Sequence, residues 1–389
     1  MRITIATRIS LPEPSAASFR LDALARYLVE AGDSVTMLTV RPPKGVAETP
    51  LPYRVSRFPV LRDRSGYVRG YLQYLSFDIP LAFRLLFHRR PDAVIVEPPP
   101  TSACVTALVC RLRRIPFFPY AADVWSDASE GTSAGGAVVR VVRGMERWAW
   151  NGARGVFSVN DGVTARVSEI ADRAVVETVG NGVDDDVFNP DGPRRDDGRY
   201  VIYTGTASEW QGADVFVRAM AELRDEIPDA RLVFLGQGSA WPELRELAES
   251  TGARVDFVPS VPAAEAATWL RGARASLASM RPGAGYDFAY PTKVFASWAT
   301  GTPVVYAGPG PAGDTLRSEP MLGAAVPFDA SAAAAAIREA LAASPEPRPE
   351  VAAWAGEHVT LRGVAARVRE FMTRRLAAGA QRGGKKRAA

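Results

Sequence analysis

Apolar residues in this chain follow two alternating rhythms. Short, almost wholly apolar runs occupy residues 2–7, 34–40, 93–97, 117–121, 155–159 and 175–179. Between them, at 18–31, 101–113, 138–151 and 162–172, apolar positions recur every three or four residues. The first rhythm is that of strands buried on both faces and the second that of amphipathic helices, so the alternation predicts a parallel sheet covered on either side. Residues 189–198 interrupt it with Pro190, Gly192, Pro193 and Gly198 among five charged positions, the composition of a linker between domains. The alternation then restarts, with strands predicted at 200–204, 231–235, 254–258, 275–278, 303–306 and 325–327 and helices at 213–226, 241–250, 263–271, 292–300 and 331–343. Pro345, Pro347 and Pro349 close the second series. Helices follow at 350–358 and 361–378, and residues 379–389, with no side chain more apolar than alanine, read as a disordered basic tail.

Two α/β halves are therefore expected, and a length of 389 residues accommodates them. Open parallel sheets bind ligands beyond the carboxyl ends of their strands, and two such sheets leave a cleft for one. Composition narrows the chemistry. A 47% hydrophobic and 23% charged chain is that of a soluble globular protein, and a net charge of +4 is too small for a dedicated nucleic-acid binder. His88 and His358 are the only histidines, while Cys104 and Cys110 stand six apart in an apolar stretch, which excludes a histidine-rich metal site, a zinc pattern and a disulfide framework. No apolar run reaches the roughly 20 residues that span a bilayer. The opening Arg2-Ile3-Thr4-Ile5-Ala6-Thr7 reads as a first strand and not as a secretion signal, so a cytoplasmic protein is expected.

One cation stands out. Of 47 basic residues only Lys44, Lys293, Lys385 and Lys386 are lysines. Lys293 follows Tyr290-Pro291-Thr292, with Thr292 suited to cap a helix, Val294, Phe295 and Trp298 giving it an apolar stripe, and Gly301 and Pro303 placed to end it. An ammonium in a first helical turn, beside free backbone N–H groups, is either an anion site or a solvated surface lysine.

The sequence around it resembles family-4 glycosyltransferases of the GT-B fold. Pro291 to Val305 is similar to their Pro-Ser-Lys…Ala-x-Gly-x-Pro-Val-Val element. In the same order along the chain, residues 19–35 resemble their first helix and second strand, Asp123-Val124-Trp125-Ser126-Asp127 an Asp-x-Trp-Pro-Glu element, and Gly180-Asn181-Gly182-Val183-Asp184 with Phe188-Asn189-Pro190 the interdomain signature. Tyr203-Thr204-Gly205 through Gln211-Gly212, and Gly236-Gln237-Gly238, resemble turns of the second domain. The resemblance covers roughly residues 1–375 and implies two Rossmann-like domains with parallel sheets facing a central cleft. It implies an acceptor-binding domain over 1–190, a nucleotide-sugar domain over 199–350 and a last helix, about 360–378, crossing back to the first domain. It further implies transfer of a hexosyl-type sugar with retention and without metal, from a UDP-sugar or dTDP-sugar that is a substrate and not a cofactor. On the donor side it points to Lys293, Gly205, Thr206, Gly236, Gly238, Val261, Arg281, Asp287, Tyr290, Thr292 and Ser297. On the acceptor and sugar side it points to Ser15, Ser18, Glu97, Asp123 and Trp125, with Asp123 and Asp127 as catalytic carboxylates unless they serve as a helix cap and a loop salt bridge. Arg281 is a second cation for the diphosphate or an exposed surface arginine.

The chain departs from that family in places. Ala296 and Phe288 stand where many members carry glutamates, one of which binds the ribose hydroxyls; Asp287 is near enough to substitute. Glu209-Trp210-Gln211 replaces a basic residue before Gly212, and the loop 12–18 lacks a glycine pair. The missing ribose carboxylate suits a deoxyribose donor such as a dTDP-sugar, ribose held by other groups, or a degenerate site. Residues 54–90 hold eight arginines among Tyr67, Tyr71, Tyr74, Phe77, Phe83 and Phe87, which reads either as a peripheral contact with the inner face of a membrane, toward a lipid-linked acceptor, or as an ordinary helix. A small-molecule acceptor is equally compatible, in natural-product glycoside or cell-surface glycan assembly. The rival readings are a catalytically silent scaffold and a sugar-nucleotide epimerase.

Overall fold

The strand runs are apolar on both faces because both faces are covered, and every strand pairing among the described residues is parallel. The computed structural model describes residues 1–387 apart from 14, 44–49, 64–67, 69, 131–134, 284–289 and 345, and their side chains apart from 130 and 380–387. The chain forms two compact units, Met1–Asn181 with Leu361–Ala389, and Gly182–Thr360.

The first unit contains β1 (Arg2–Ala6), α1 (Ala16–Glu30), β2 (Ser34–Val40), β3 (Arg54–Phe58), α2 (Tyr71–Phe87), β4 (Ala93–Val96), α3 (Pro100–Arg113), β5 (Phe117–Ala121), α4 (Trp125–Glu130), α5 (Gly136–Gly152), β6 (Val156–Ser158), α6 (Asp161–Ile170) and β7 (Val176–Thr178). The second contains β8 (Tyr200–Thr206), α7 (Asp214–Leu223), β9 (Arg231–Gln237), α8 (Trp241–Thr251), β10 (Val255–Pro259), α9 (Ala263–Gly272), β11 (Ser276–Ser279), α10 (Lys293–Ala299), β12 (Val304–Ala307), α11 (Pro311–Ser318), β13 (Gly323–Val326), α12 (Ala330–Ala342) and α13 (Pro349–His358). The last helix, α14 (Leu361–Arg387), belongs to the first unit.

The first sheet has the order β3-β2-β1-β4-β5-β6-β7 and the second β10-β9-β8-β11-β12-β13. In both, the first strand is central and the order reverses beside it, the point where doubly wound sheets open a crevice. Ile3, Ile5 and Ile95 face α1 and α14, while Val94 and Val96 face α2 and α3. Strand β3 went unpredicted because it is a half-exposed edge strand with two arginines; α2, apolar on both sides around Pro80, is the ordinary helix that was one of the two readings of 54–90.

Two expectations change. The stretch 189–198, expected as a linker, is fastened to the second unit. The buried Arg271 guanidinium donates to the carbonyls of Asn189 at 2.8 Å and Pro193 at 3.0 Å, and Val183 N–H donates to Val359 O at 2.9 Å. The boundary therefore falls at Asn181, ahead of these contacts. The residues expected as a disordered tail continue α14 to Arg387. They contain no proline, and Ala, Gln, Arg and Lys extend a helix already nucleated against the cost of Gly379, Gly383 and Gly384.

Helix α14 is held by Val364, Ala365, Val368, Phe371 and Met372, spaced three and four apart and all buried. Phe371 meets Phe157 edge-on at 5.8 Å, and a Cβ on Gly155 would lie 2.5 Å from its ring. Phe371→Ala is expected to destabilise the first unit by about 3–5 kcal/mol, seen as a lower denaturant midpoint for that unit.

Candidate functional site

In the second unit the carboxyl ends of β8 and β9 are drawn together by glycine. Gly205 and Gly236 are register partners, and a Cβ on Gly236 would lie 2.3 Å from Gly205 O. One on Gly238 would lie 2.0 Å from Ala207 O. Only glycine permits that approach. Gly205 is different. Its φ of +81° also calls for glycine, yet the space where its Cβ would sit is open. The backbone at Gly205–Thr206 therefore presents an uncovered surface.

Lys293 reaches this surface. Its Nζ donates to Thr206 O at 3.0 Å and lies 3.5 Å from the centroid of the Tyr203 ring. Among the described residues no carboxylate lies within salt-bridge range of it. Removal from water without a counter-charge holds the ammonium well below the usual lysine range. The N–H groups of Val294 and Phe295 donate to Pro291 O and Thr292 O, both at 3.1 Å, so they are not the free donors expected of this helix start. Thr292 is exposed and makes no side-chain cap, because its own backbone is already helical at φ −62°, ψ −15°.

The other donor-side candidates divide. Ser297 is fully buried and donates to Lys293 O at 3.0 Å, and Tyr290 donates to Thr315 Oγ1 at 2.8 Å while packing on Phe295, so both brace the Lys293 segment. Burial pushes the Tyr290 phenol up to about 12. Val261 packs on the apolar side of β8 and β9, among Tyr200, Leu235 and Trp269. Arg281 is exposed but paired with Asp214 Oδ1 at 2.6 Å and lies over Phe328. It lines an open cavity of about 790 Å³ between α7 and α8 that does not include Lys293. Asp287 lies outside the described residues. Ala296, where a ribose carboxylate was missed, packs against the same apolar cluster as Val261.

At the corresponding strand ends of the first unit, Ser15 and Ser18 form a reciprocal cap on α1. Ser18 N–H donates to Ser15 Oγ at 3.0 Å and Ser15 N–H to Ser18 Oγ at 2.8 Å, which uses the groups expected to meet a substrate. Glu97 is buried against Arg20 at 2.5 Å, with that guanidinium 4.5 Å from the centroid of the Tyr120 ring. Burial pushes the Glu97 carboxyl up, against the pull of Arg20. Asp127 takes two contacts from Arg166, at 2.6 and 2.8 Å, and one from Arg143 at 3.3 Å. The hydrogen bonds from Arg166 hold it below the usual carboxylate range, so it is a salt bridge in the first turn of α4 and a poor proton acceptor. Asp123 is exposed, and among the described residues it has no salt bridge.

Sequence reasoning missed Glu146, whose buried carboxylate accepts from Trp125 N–H at 2.7 Å and so caps α4 from α5. It also missed Arg8, which lies over the rings of Tyr74 and Trp125, and Arg20, whose one signal was a charge inside the apolar stripe of α1. Among the described arginines of 54–90, three are turned inward, while Arg54, Arg89 and Arg90 are exposed. Arg57 donates to Leu11 O, Arg62 pairs with Glu13, and Arg84 donates to Ser56 O, while Arg64 and Arg69 lie outside the described residues. Among the described residues no cluster of three or more His, Cys, Asp or Glu is placed to hold a metal ion, and no helix is long and apolar enough to cross a membrane.

Family models match both units. Residues 16–182 match a glycosyl transferase 4-like domain and residues 198–343 the glycosyl transferases group 1. A search of curated proteins finds no match. Among solved structures the chain is similar to a sucrose-phosphate synthase from Thermosynechococcus elongatus, at 17% identity over 97% of this chain and 99% of that one with a TM-score of 0.68. It is similar to Anabaena HepE in complex with UDP and glucose, at 15% identity over 96% and 99% with a TM-score of 0.64. It also resembles a UDP-N-acetylglucosamine 2-epimerase from Listeria monocytogenes, at 13% identity over 94% of each chain with a TM-score of 0.61. At these identities the likenesses show the fold, which is GT-B.

The sign of the Lys293 shift yields a prediction. A base with a lowered folded pKa binds its proton less readily folded than unfolded, so its contribution to stability is lost as pH falls through the folded value. At pH 7, below the pKa of an unfolded lysine, burying this side chain therefore costs the ligand-free protein stability. Lys293→Met is expected to leave its Tm equal or higher; a fall of several degrees in a thermal melt contradicts this.

Proposed function

We propose that this chain, which belongs to the family-4 glycosyltransferases of the GT-B fold, moves a hexosyl-type sugar from a nucleoside-diphosphate donor to an acceptor hydroxyl with retention. What carries the reading is Lys293, a half-buried cation with no carboxylate partner among the described residues, set over an uncovered glycine turn. When the bond from the anomeric carbon to the donor phosphate breaks, negative charge collects on the departing diphosphate. A desolvated ammonium stabilises that charge far better than a solvated one does. In this reading the diphosphate takes the place of Thr206 O as the partner of Lys293 and raises its pKa toward the ordinary value. Asp123, which lacks the arginines that neutralise Asp127, is the carboxylate left to orient the acceptor hydroxyl. That hydroxyl forms the new bond to the anomeric carbon and gives up its proton. No resident metal is assigned a part. The product belongs to cell-surface glycan or natural-product glycoside assembly on the cytoplasmic side of the membrane.

The apolar surroundings of Ala296 leave the ribose without a carboxylate at that position, which among the described residues removes one means of favouring ribose over deoxyribose. HepE is a related fold bound to UDP, which makes UDP-sugars the natural comparison. Turnover with dTDP-sugars is expected to equal or exceed that with UDP-sugars; a tenfold or greater preference for UDP-sugars overturns the donor assignment. Lys293→Ala should lower kcat by roughly 10²-fold or more, and EDTA should leave the parent rate unchanged. Steady-state assays of donor cleavage read all three, and near-normal turnover in the lysine variant rejects the site.

A further inference from the structure

Helices α2, α3 and α5 belong to one layer. Phe77, Leu81 and Leu85 of α2, Ala103 and Cys110 of α3 and Ala149 of α5 share the cluster that packs on Val94 and Val96. The opposite sides of these helices face solvent and carry large apolar residues. On α2 the stripe Leu72, Leu75, Ile79 and Phe83 repeats at helical spacing, with Leu72 69% and Phe83 57% exposed. Leu108 and Leu112 continue it on α3, at 62% and 73%. This is not the scatter of single apolar residues that any surface carries. Of the sixteen large apolar side chains exposed among the described residues, fifteen belong to the first unit and only Met321 to the second.

Beside this stripe, between α3 and α5, lies an open groove of about 1140 Å³ lined by Arg90, Arg111, Arg114, Arg147, Arg154 and Arg173 and by no carboxylate. The nearest acidic relief is Asp172, 3.6 Å from Arg147 and itself largely exposed. Trp148, half exposed, stands in the groove wall.

We propose that this layer docks the first unit on an anionic phospholipid bilayer. The groove arginines would take lipid phosphates, and the leucine and phenylalanine stripe would enter the acyl boundary. Charge decides among the occupants. A second copy on the same face would set six arginines against six. Nucleic acid would satisfy the arginines but leave the apolar stripe in water. A bilayer with anionic headgroups satisfies both, and Trp148 suits the depth between them. Of the arginines of 54–90, Arg57, Arg62 and Arg84 brace the unit internally and Arg90 lines the groove, so the positive charge comes from the α3–α5 groove and α2 supplies the apolar contact. The inference does not depend on the sugar, the donor or the activity.

Vesicle co-sedimentation of the full chain tests it, with phosphatidylcholine alone and with 3:7 phosphatidylglycerol:phosphatidylcholine, at low and high salt. Binding is expected only to the anionic vesicles and is expected to weaken with salt. The pairs Leu75→Glu/Phe83→Glu and Arg111→Glu/Arg147→Glu should each weaken it by roughly tenfold or more. All four side chains are exposed, so unchanged thermal melts should accompany the loss; Leu108→Ser/Leu112→Ser provides an independent apolar variant. Equal binding to both vesicle types, or variants that bind like the parent, overturn the proposal. So does a dimer, seen by light scattering, that the same substitutions dissociate.

Discussion

An ammonium held over an aromatic ring, with no carboxylate in salt-bridge range among the described residues, is the constraint around which the second unit's strand ends are arranged. Lys293 loses hydration, gains only the Thr206 carbonyl and the face of Tyr203, and is left short of charge compensation. Such a group is costly unless something anionic arrives. Its neighbours hold it there. Ser297 ties off its carbonyl, Tyr290 anchors the preceding segment to α11, and Gly301, at φ +76°, ends the helix where a side chain would strike Pro347 and Arg348. The glycines at 205, 236 and 238 bring two strand ends close enough to offer backbone, and not side chain, to whatever meets the lysine.

The first unit solves a different problem with the same materials. Arg20 and Glu97 compensate one another in a fully packed position, and Asp127 is neutralised by Arg166 and Arg143. Charges that looked like chemistry in the sequence are there spent on holding strand ends and short helices in place. Breaking such a buried pair costs more than the pair contributes, because the survivor is left uncompensated. What distinguishes Asp123 and Lys293 is that among the described residues neither has an opposite charge in salt-bridge range.

The architecture was legible in the sequence wherever a strand was buried on both faces, as β1, β2, β4 and β5 are. It was illegible in the edge strand β3, and in the doubly apolar α2 the sequence left a helix as only one of two readings. The linker was misplaced because Pro and Gly mark turns whether or not a distant arginine such as Arg271 pins them. For the candidate site, the place of Lys293 at a helix start could be read from its neighbours, but the local partners of Ser15, Ser18, Asp127 and Ser297 could not. A hydroxyl or carboxylate looks the same in sequence whether it faces a ligand or closes a local hydrogen bond, and only the three-dimensional partners tell them apart.

The scarcity of lysine permits a direct test. With ¹⁵N-lysine labelling the full chain gives side-chain signals from only four residues, and Lys293→Arg identifies the one at issue. Titrated without ligand, the Lys293 signal should change protonation well below the ordinary lysine range, and a nucleoside diphosphate should move that transition upward. A Lys293 signal that titrates like free lysine and ignores UDP and dTDP alike would contradict the account at its centre.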